Sequence, residues 1–185
     1  MMLIEQLLNR LRRNHALEHA TINLLSRRHP GARLVGVSGP QGFTLYSSMS
    51  AEDIIPVTRE ALRALKSGEA ALAVHENCGT NLVITAVLTT LATLLGLGYT
   101  PGGGRTATRE TGRAWWDFLE RLPQAILLNA MALVVAIPVA RWVQVNVTTS
   151  PDVTGLEIVS FFTDRQGGLS RIRVYTRLSR EGLRA

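Results

Sequence analysis

Residues 81–100 read NLVITAVLTTLATLLGLGYT, and they lie within a longer stretch, Asn77 to Gly104, that holds no charged residue. A bilayer-spanning helix needs about 20 consecutive apolar residues. The stretch therefore decides the fold class, because it predicts a membrane helix rather than a core element of a water-soluble domain. A second run, LPQAILLNAMALVVAIPVARW from Leu122 to Trp142, is uncharged until Arg141. Trp115 and Trp116 precede it and Trp142 ends it, as in an interfacial aromatic belt. Together the runs predict a transmembrane helical hairpin over residues 80–142, with spans at 81–100 and 122–141 joined by loop 101–121. Within that loop, a short amphipathic helix is expected around Trp115 to Arg121.

Composition agrees with this division. The 185-residue chain is 46% hydrophobic and 18% charged, yet its formal net charge is +6, so apolar and basic residues must be segregated. The basic residues are nearly all arginine, scattered through the more polar stretches, and the few aromatics are not interleaved with them as a single-strand stacking platform requires. That pattern suits an anionic lipid surface better than a single-strand stacking platform, so no nucleic-acid partner is expected. Cys78 is the only cysteine, which excludes an intrachain disulfide. The first residues, MMLIEQLLNRLRRN, lack a basic region ahead of an apolar run, so no cleaved secretory signal is expected. Insertion through internal spans, with the bulkier and more basic portion left untranslocated, predicts an integral protein of an inner or cytoplasmic membrane with both termini cytoplasmic.

The flanking parts read as one small α+β domain interrupted by the hairpin: an N-terminal α+β part, residues 1–79, and a C-terminal β part, residues 143–185, packing on it. Residues 2–28 form an amphipathic helix ended by HPG. LVGVSGPQGFTLYS is a strand, a Gly/Pro turn and a strand. In SAEDIIPVTREALRALKSG, Ser50 and Asp53 have capping-box spacing and Gly68 is a stop. ALAVH reads as a short buried strand, VQVNVTT as another, and LEIVSFFTDRQGGLSRIRVYT as a β-hairpin turning at DRQGG.

The first helix carries the chemistry. Spacings of three and four give a stripe of Ile4, Leu8, Leu11, His15, Glu18, Ile22 and Leu25, an apolar seam with polar residues in its middle. His19 lies one turn after His15 on the same side. Buried polar groups must be paired or hold a metal, since each left unsatisfied costs about 1–3 kcal/mol. Histidines at i and i+4 can both reach a zinc ion at about 2 Å, and the glutamate between them points the same way.

The string HALEH, residues 15–19, resembles the H-x-x-E-H signature of the inverzincin metallopeptidases. The resemblance implies that His15 and His19 bind Zn2+, one ion per chain, and that Glu18 activates the water that attacks a peptide carbonyl. The family's third ligand is a downstream glutamate, which makes Glu69 and Glu76 candidates.

A catalytic zinc takes three protein ligands. His75 is the preferred third, because it ends ALAVH immediately before ENCGTN and the first span. His29, beside Pro30, reads as a C-terminal capping cation instead. Cys78, three residues after His75, could complete a metal site, and Asn77, Thr80 and Asn81 could hydrogen-bond a substrate or oxyanion. The competing reading makes Asn77, Thr80 and Asn81 caps of the first span. The sequence thus points to a membrane-embedded zinc-dependent endopeptidase acting on a peptide or membrane-protein substrate, with small residues in the spans suited to a homodimer. The alternative is a non-enzymatic membrane protein with a structural metal site or a hydrogen-bonded polar seam.

Overall fold

The computed structural model describes residues 2–98, 113–166 and 168–179. Residues 99–112, most of the expected inter-span loop, lie outside them. The fold is mixed helix and sheet. In chain order it comprises α1 (Met2–Arg28), β1 (Leu34–Gly39), β2 (Gly42–Ser47), α2 (Ala51–Lys66), a 3-10 turn (Ala70–Ala73), α3 (Gly79–Gly96), α4 (Arg113–Val143), a π turn (Gln144–Thr148), β3 (Leu156–Gln166) and β4 (Leu169–Leu178). It divides into two compact units, one built from the chain up to Glu76 and from Val143 onward, the other Asn77–Trp142.

The first unit is an antiparallel sheet in the order β1-β2-β4-β3, with α1 and α2 packed on one face. Alternation along the strands selects that face. Phe43, Leu45 and Ser47 of β2 are buried, and they pair across the sheet with the equally buried Val174, Ile172 and Ser170 of β4. Beside them on β1 come Ser38, Gly36 and Leu34, by the register Ser38↔Phe43, Gly36↔Leu45 and Leu34↔Ser47. Against this face α1 places Ala16, Leu17, Ala20 and Leu25, and α2 places Ile54, Val57, Ala61 and Leu65. Each fully buried Leu or Ile contributes about 1.5–3 kcal/mol relative to an exposed one. The capping box forms as expected: Ser50 Oγ accepts the Asp53 N–H and donates to Asp53 Oδ2, and Gly68 leaves α2 at a φ of +98°. Both β-hairpins also form where expected.

Three local expectations are corrected. ALAVH is not a strand; the chain makes a 3-10 turn over Ala70–Ala73, and its carbonyls are taken by side chains of α1 rather than by a neighbouring strand. VQVNVTT is not a strand either. It continues α4 as the π turn Gln144–Thr148, with Gln144 only 1% exposed. The segment Trp115–Arg121 is no separate helix, because α4 runs unbroken through Pro123 and Pro138. Each proline removes one backbone donor, to the carbonyls of Leu119 and Val134, and a long helix tolerates that loss. The seam of α1 is also shorter than its pattern suggests: Ile22 and Leu25 are buried, whereas Ile4 and Leu8 remain 64% and 53% exposed.

In the second unit, α3 and α4 are each long and apolar enough to cross a membrane. Gly96 lets them approach closely; a Cβ there would lie 2.5 Å from Ala125 Cα. Asn129 Nδ2 donates to Thr93 Oγ1 at 2.9 Å, and Arg121 Nη1 donates to the Leu97 carbonyl at 2.8 Å. Leu82, Val83, Leu95, Ile126, Val134 and Ile137 are all more than half exposed. Cys78, rather than Asn77, Thr80 or Asn81, caps α3: its Sγ accepts the Thr80 N–H and its carbonyl accepts the Asn81 N–H.

Candidate metal centre

Helical spacing does for His15 and His19 what the sequence required. The ring centroids are 4.2 Å apart and their ligand nitrogens lie within 4.8 Å of each other. The turn after Ala73 then carries His75 beside His19, its ring centroid 5.8 Å from that of His19. Three of the four histidines in the chain are gathered here. The fourth, His29, is exposed, and its backbone N–H closes the end of α1 on the Leu25 carbonyl.

Each of the three rings is held in the same manner. His15 Nδ1 lies 2.9 Å from the Thr148 carbonyl, and His19 Nδ1 lies 2.8 Å from the Ala73 carbonyl. His75 Nδ1 lies 2.8 Å from Asn23 Oδ1. That atom is the amide oxygen, because Asn23 Nδ2 donates to the Leu72 and Val74 carbonyls at 2.9 and 2.8 Å. A carbonyl oxygen only accepts, so in all three rings Nδ1 must carry the proton. The neutral tautomer that results has its lone pair on Nε2. Metal-binding histidines are oriented in this way, by a carbonyl that accepts from the ring nitrogen turned away from the metal. The Gln144 side chain adds a further hold, its Oε1 accepting the His75 N–H at 3.1 Å. Close by, Thr148 Oγ1 is buried with no protein hydrogen-bond partner among the described residues.

Glu18, 5% exposed, turns its carboxylate to the sheet. Its Oε2 accepts a short hydrogen bond from Ser38 Oγ, and its Oε1 lies over Gly36, where a Cβ would be 2.1 Å away. Ser38 and Gly36 are alternate residues of β1 and so share the helix-covered face.

Neighbouring polar groups fix the helix that presents these residues. Arg12 Nη2 donates to the Asn146 and Thr149 carbonyls, which ties the π turn to α1. Arg13, 2% exposed, donates to the Thr154 carbonyl and Asn9 Oδ1 and pairs with Asp152 at 3.3 Å. Hydrogen bonds from the Thr154 side chain and backbone N–H hold the Asp152 carboxyl below its ordinary pKa, and the Arg13 charge adds to them. Asn14 bridges the Gly39 carbonyl and the Thr176 hydroxyl.

Within one unit the structure thus brings the ligand nitrogens of His15 and His19 together and sets the His75 ring beside that of His19. Glu69 stands exposed at the start of the 3-10 turn, and Glu76 is exposed as well. Asn77 and Asn81 belong to the other unit, as does the capping Cys78. Sequence reasoning missed Asn23, Gln144, Gly36 and Ser38. Asn23 had a signal, since it follows His19 by one helical turn and an amide inside a buried helix face needs partners. Gly36 also had one, as a glycine inside a β-branched strand. Gln144 had none.

Comparisons with known proteins are consistent in extent but silent on chemistry. Residues 10–161 match the profile of a family described as "Domain of unknown function (DUF6391)". An uncharacterized protein of Picosynechococcus sp. is 32% identical over 173 residues, spanning 86% of this chain and 76% of the relative. No solved structure matches. With more than half of its length matched by the profile, the chain belongs to the DUF6391 family.

Proposed function

We propose that the protein is a membrane-embedded zinc-dependent endopeptidase in which His15, His19 and His75 hold the metal and Glu18 serves as general base and then as proton donor to the leaving amine. The observation that carries this reading is the common anchoring of the rings: three neighbouring imidazoles, each with Nδ1 given to a carbonyl oxygen, as in metal-binding histidines. Three such ligands match the donor set of a catalytic zinc, and the orphaned Thr148 hydroxyl supports a further polar group at the site. When bound, a zinc ion would supply Lewis acidity, polarising a carbonyl and lowering the pKa of water to about 7. The chain's own groups do the rest. Glu18, one residue before His19 on α1, accepts the proton from the attacking water and returns it to the leaving nitrogen. Asn23 and the carbonyls of Ala73 and Thr148 keep the rings from turning.

The lengths and exposed apolar surfaces of α3 and α4 support the membrane assignment; at 1.5 Å per residue the 18-residue α3 spans about 27 Å, close to the hydrocarbon thickness of a bilayer. A peptide or membrane-protein substrate, an inner or cytoplasmic membrane and cytoplasmic termini complete the proposal. The test is Glu18→Gln. The zinc-loaded parent is expected to generate new termini in a proteome-derived peptide library, read by mass spectrometry, and the variant to generate none while binding the same metal. Equal cleavage by both overturns the role of Glu18.

One observation favours a second reading, a structural metal in a non-enzymatic membrane protein: Glu18 is already engaged by Ser38 and nearly buried. In that case a fourth donor closes the site, and Cys78, three residues along the chain from His75, is the candidate. Loss of metal in Cys78→Ser supports the closed site, and retention supports the open one.

A further inference from the structure

Gly36 is an unexpected residue in the middle of β1. Its φ is not in the left-handed region, so the backbone does not require glycine there. Glycine in a strand interior is less favourable than alanine and offers nothing to pack. What it does provide here is room. A Cβ at position 36 would fall 2.1 Å from Glu18 Oε1, 2.5 Å from Cδ and 2.8 Å from Cγ, so the whole end of the glutamate side chain rests on the strand backbone. Two residues on, on the same face, the Ser38 hydroxyl donates to Glu18 Oε2. One strand therefore restrains both oxygens: one by a hydrogen bond, the other by close packing over a residue with no side chain.

We propose that Gly36 and Ser38 are positioning residues which together form a seat for the Glu18 carboxylate and hold it in one rotamer on the helix that carries His15 and His19. The proposal rests on the peptidase reading for its catalytic meaning. The seat fixes the direction of the carboxylate. Ser38 holds Oε2 by a hydrogen bond, while Gly36 sets how deeply the carboxylate sits. Neither residue is counted among the metal's ligands. Their substitution should therefore disturb the base without emptying the site.

The test uses the full chain purified in detergent and loaded with zinc, as five proteins: the parent, Gly36→Ala, Ser38→Ala, Glu18→Asp and the double variant Gly36→Ala with Glu18→Asp. Zinc content, thermal unfolding and hydrolysis of the peptide library are read for each. Gly36→Ala, Ser38→Ala and Glu18→Asp should all keep zinc at the parental stoichiometry. Each should lose kcat with KM little changed, on the order of a hundredfold for Gly36→Ala, since misplacing a catalytic group by about 1 Å has that effect. The double variant is the decisive one. Removing a methylene from residue 18 makes room for the methyl added at residue 36, so hydrolysis and melting temperature should both rise above those of Gly36→Ala.

Parental kcat in Gly36→Ala, or a double variant no better than the product of its single losses, overturns the seat while leaving the peptidase reading standing. If the zinc-loaded parent cleaves nothing, the peptidase reading fails. Recovery of melting temperature in the double variant then shows the contact to be structural only, which overturns the positioning role. Loss of zinc from Gly36→Ala also overturns it, because the strand would then support the ligands rather than the base.

Discussion

Asn23→Ala should weaken metal binding without touching a proposed ligand. The amide makes three hydrogen bonds: Oδ1 accepts from His75 Nδ1 at 2.8 Å, and Nδ2 donates to the Leu72 and Val74 carbonyls at 2.9 and 2.8 Å. Truncation frees the His75 ring to rotate and to move its proton to Nε2, the nitrogen assigned to the metal. It also loosens the Ala70–Ala73 turn, whose Ala73 carbonyl orients His19. Losing an outer-shell partner typically costs 10- to 100-fold in metal affinity, or about 1.4–2.8 kcal/mol. The fold loses about 1 kcal/mol per hydrogen bond, about 3 kcal/mol in all, less whatever water restores. Two effects must then be separated. Competition for Zn2+ against a chromophoric chelator reads affinity, and urea denaturation of the apoprotein reads stability. Thr58→Ala, a buried substitution on α2 whose hydroxyl donates to the Ile54 carbonyl of its own helix, serves as the control for stability loss without ligand disorder. The expected pattern is weakened zinc binding in Asn23→Ala at parental affinity in Thr58→Ala. Parental affinity in both would refute the assignment of His75 as a ligand held by Asn23.

Other substitutions probe separate parts of the fold. Leu45→Ala, at a fully buried site on β2, should destabilise the first unit by about 2–5 kcal/mol in denaturant titration, whereas Val35→Ala, at a 61% exposed site, should stay within about 0.5 kcal/mol. Gly96→Val should force α3 and α4 apart at Ala125 and cost about 1–3 kcal/mol, read as a lower melting temperature in detergent; an unchanged value would refute the close helix approach. Asp152, whose carboxyl has a lowered pKa in the folded state, contributes stability above its unfolded pKa. That contribution disappears as pH falls through the folded pKa, so Asp152→Asn should flatten the acid limb of the melting-temperature profile. An acid limb of parental steepness would remove Asp152 from the account.

How far the sequence discloses this arrangement depends on the range of the forces involved. The α3 run is legible because excluding charge from 28 successive positions, Asn77 to Gly104, leaves few other interpretations. The β-hairpins are legible because turn chemistry and alternation are local. ALAVH and VQVNVTT misled because short apolar runs carry no decisive period. Their conformations are set by distant side chains: Asn23 and His19 take carbonyls of the first, while Arg12 and His15 take carbonyls of the second. The second span was expected from Leu122, yet α4 begins at Arg113 and passes through Pro123. The pairing of His15 with His19 follows from helical spacing alone, and His75 was reachable by elimination. The seat of Glu18 was not legible, because nothing in LVGVSG indicates that its glycine and second serine-bearing face meet residue 18 of another element.

The central claim is that the histidine cluster holds one metal ion. Metal content by mass spectrometry, measured on the full chain purified in detergent after zinc has been supplied, tests it most directly. About one zinc per chain in the parent, lost in His15→Ala, His19→Ala and His75→Ala alike, is the predicted result. A parent without metal would contradict the claim and reduce the three histidines to a hydrogen-bonded core seam.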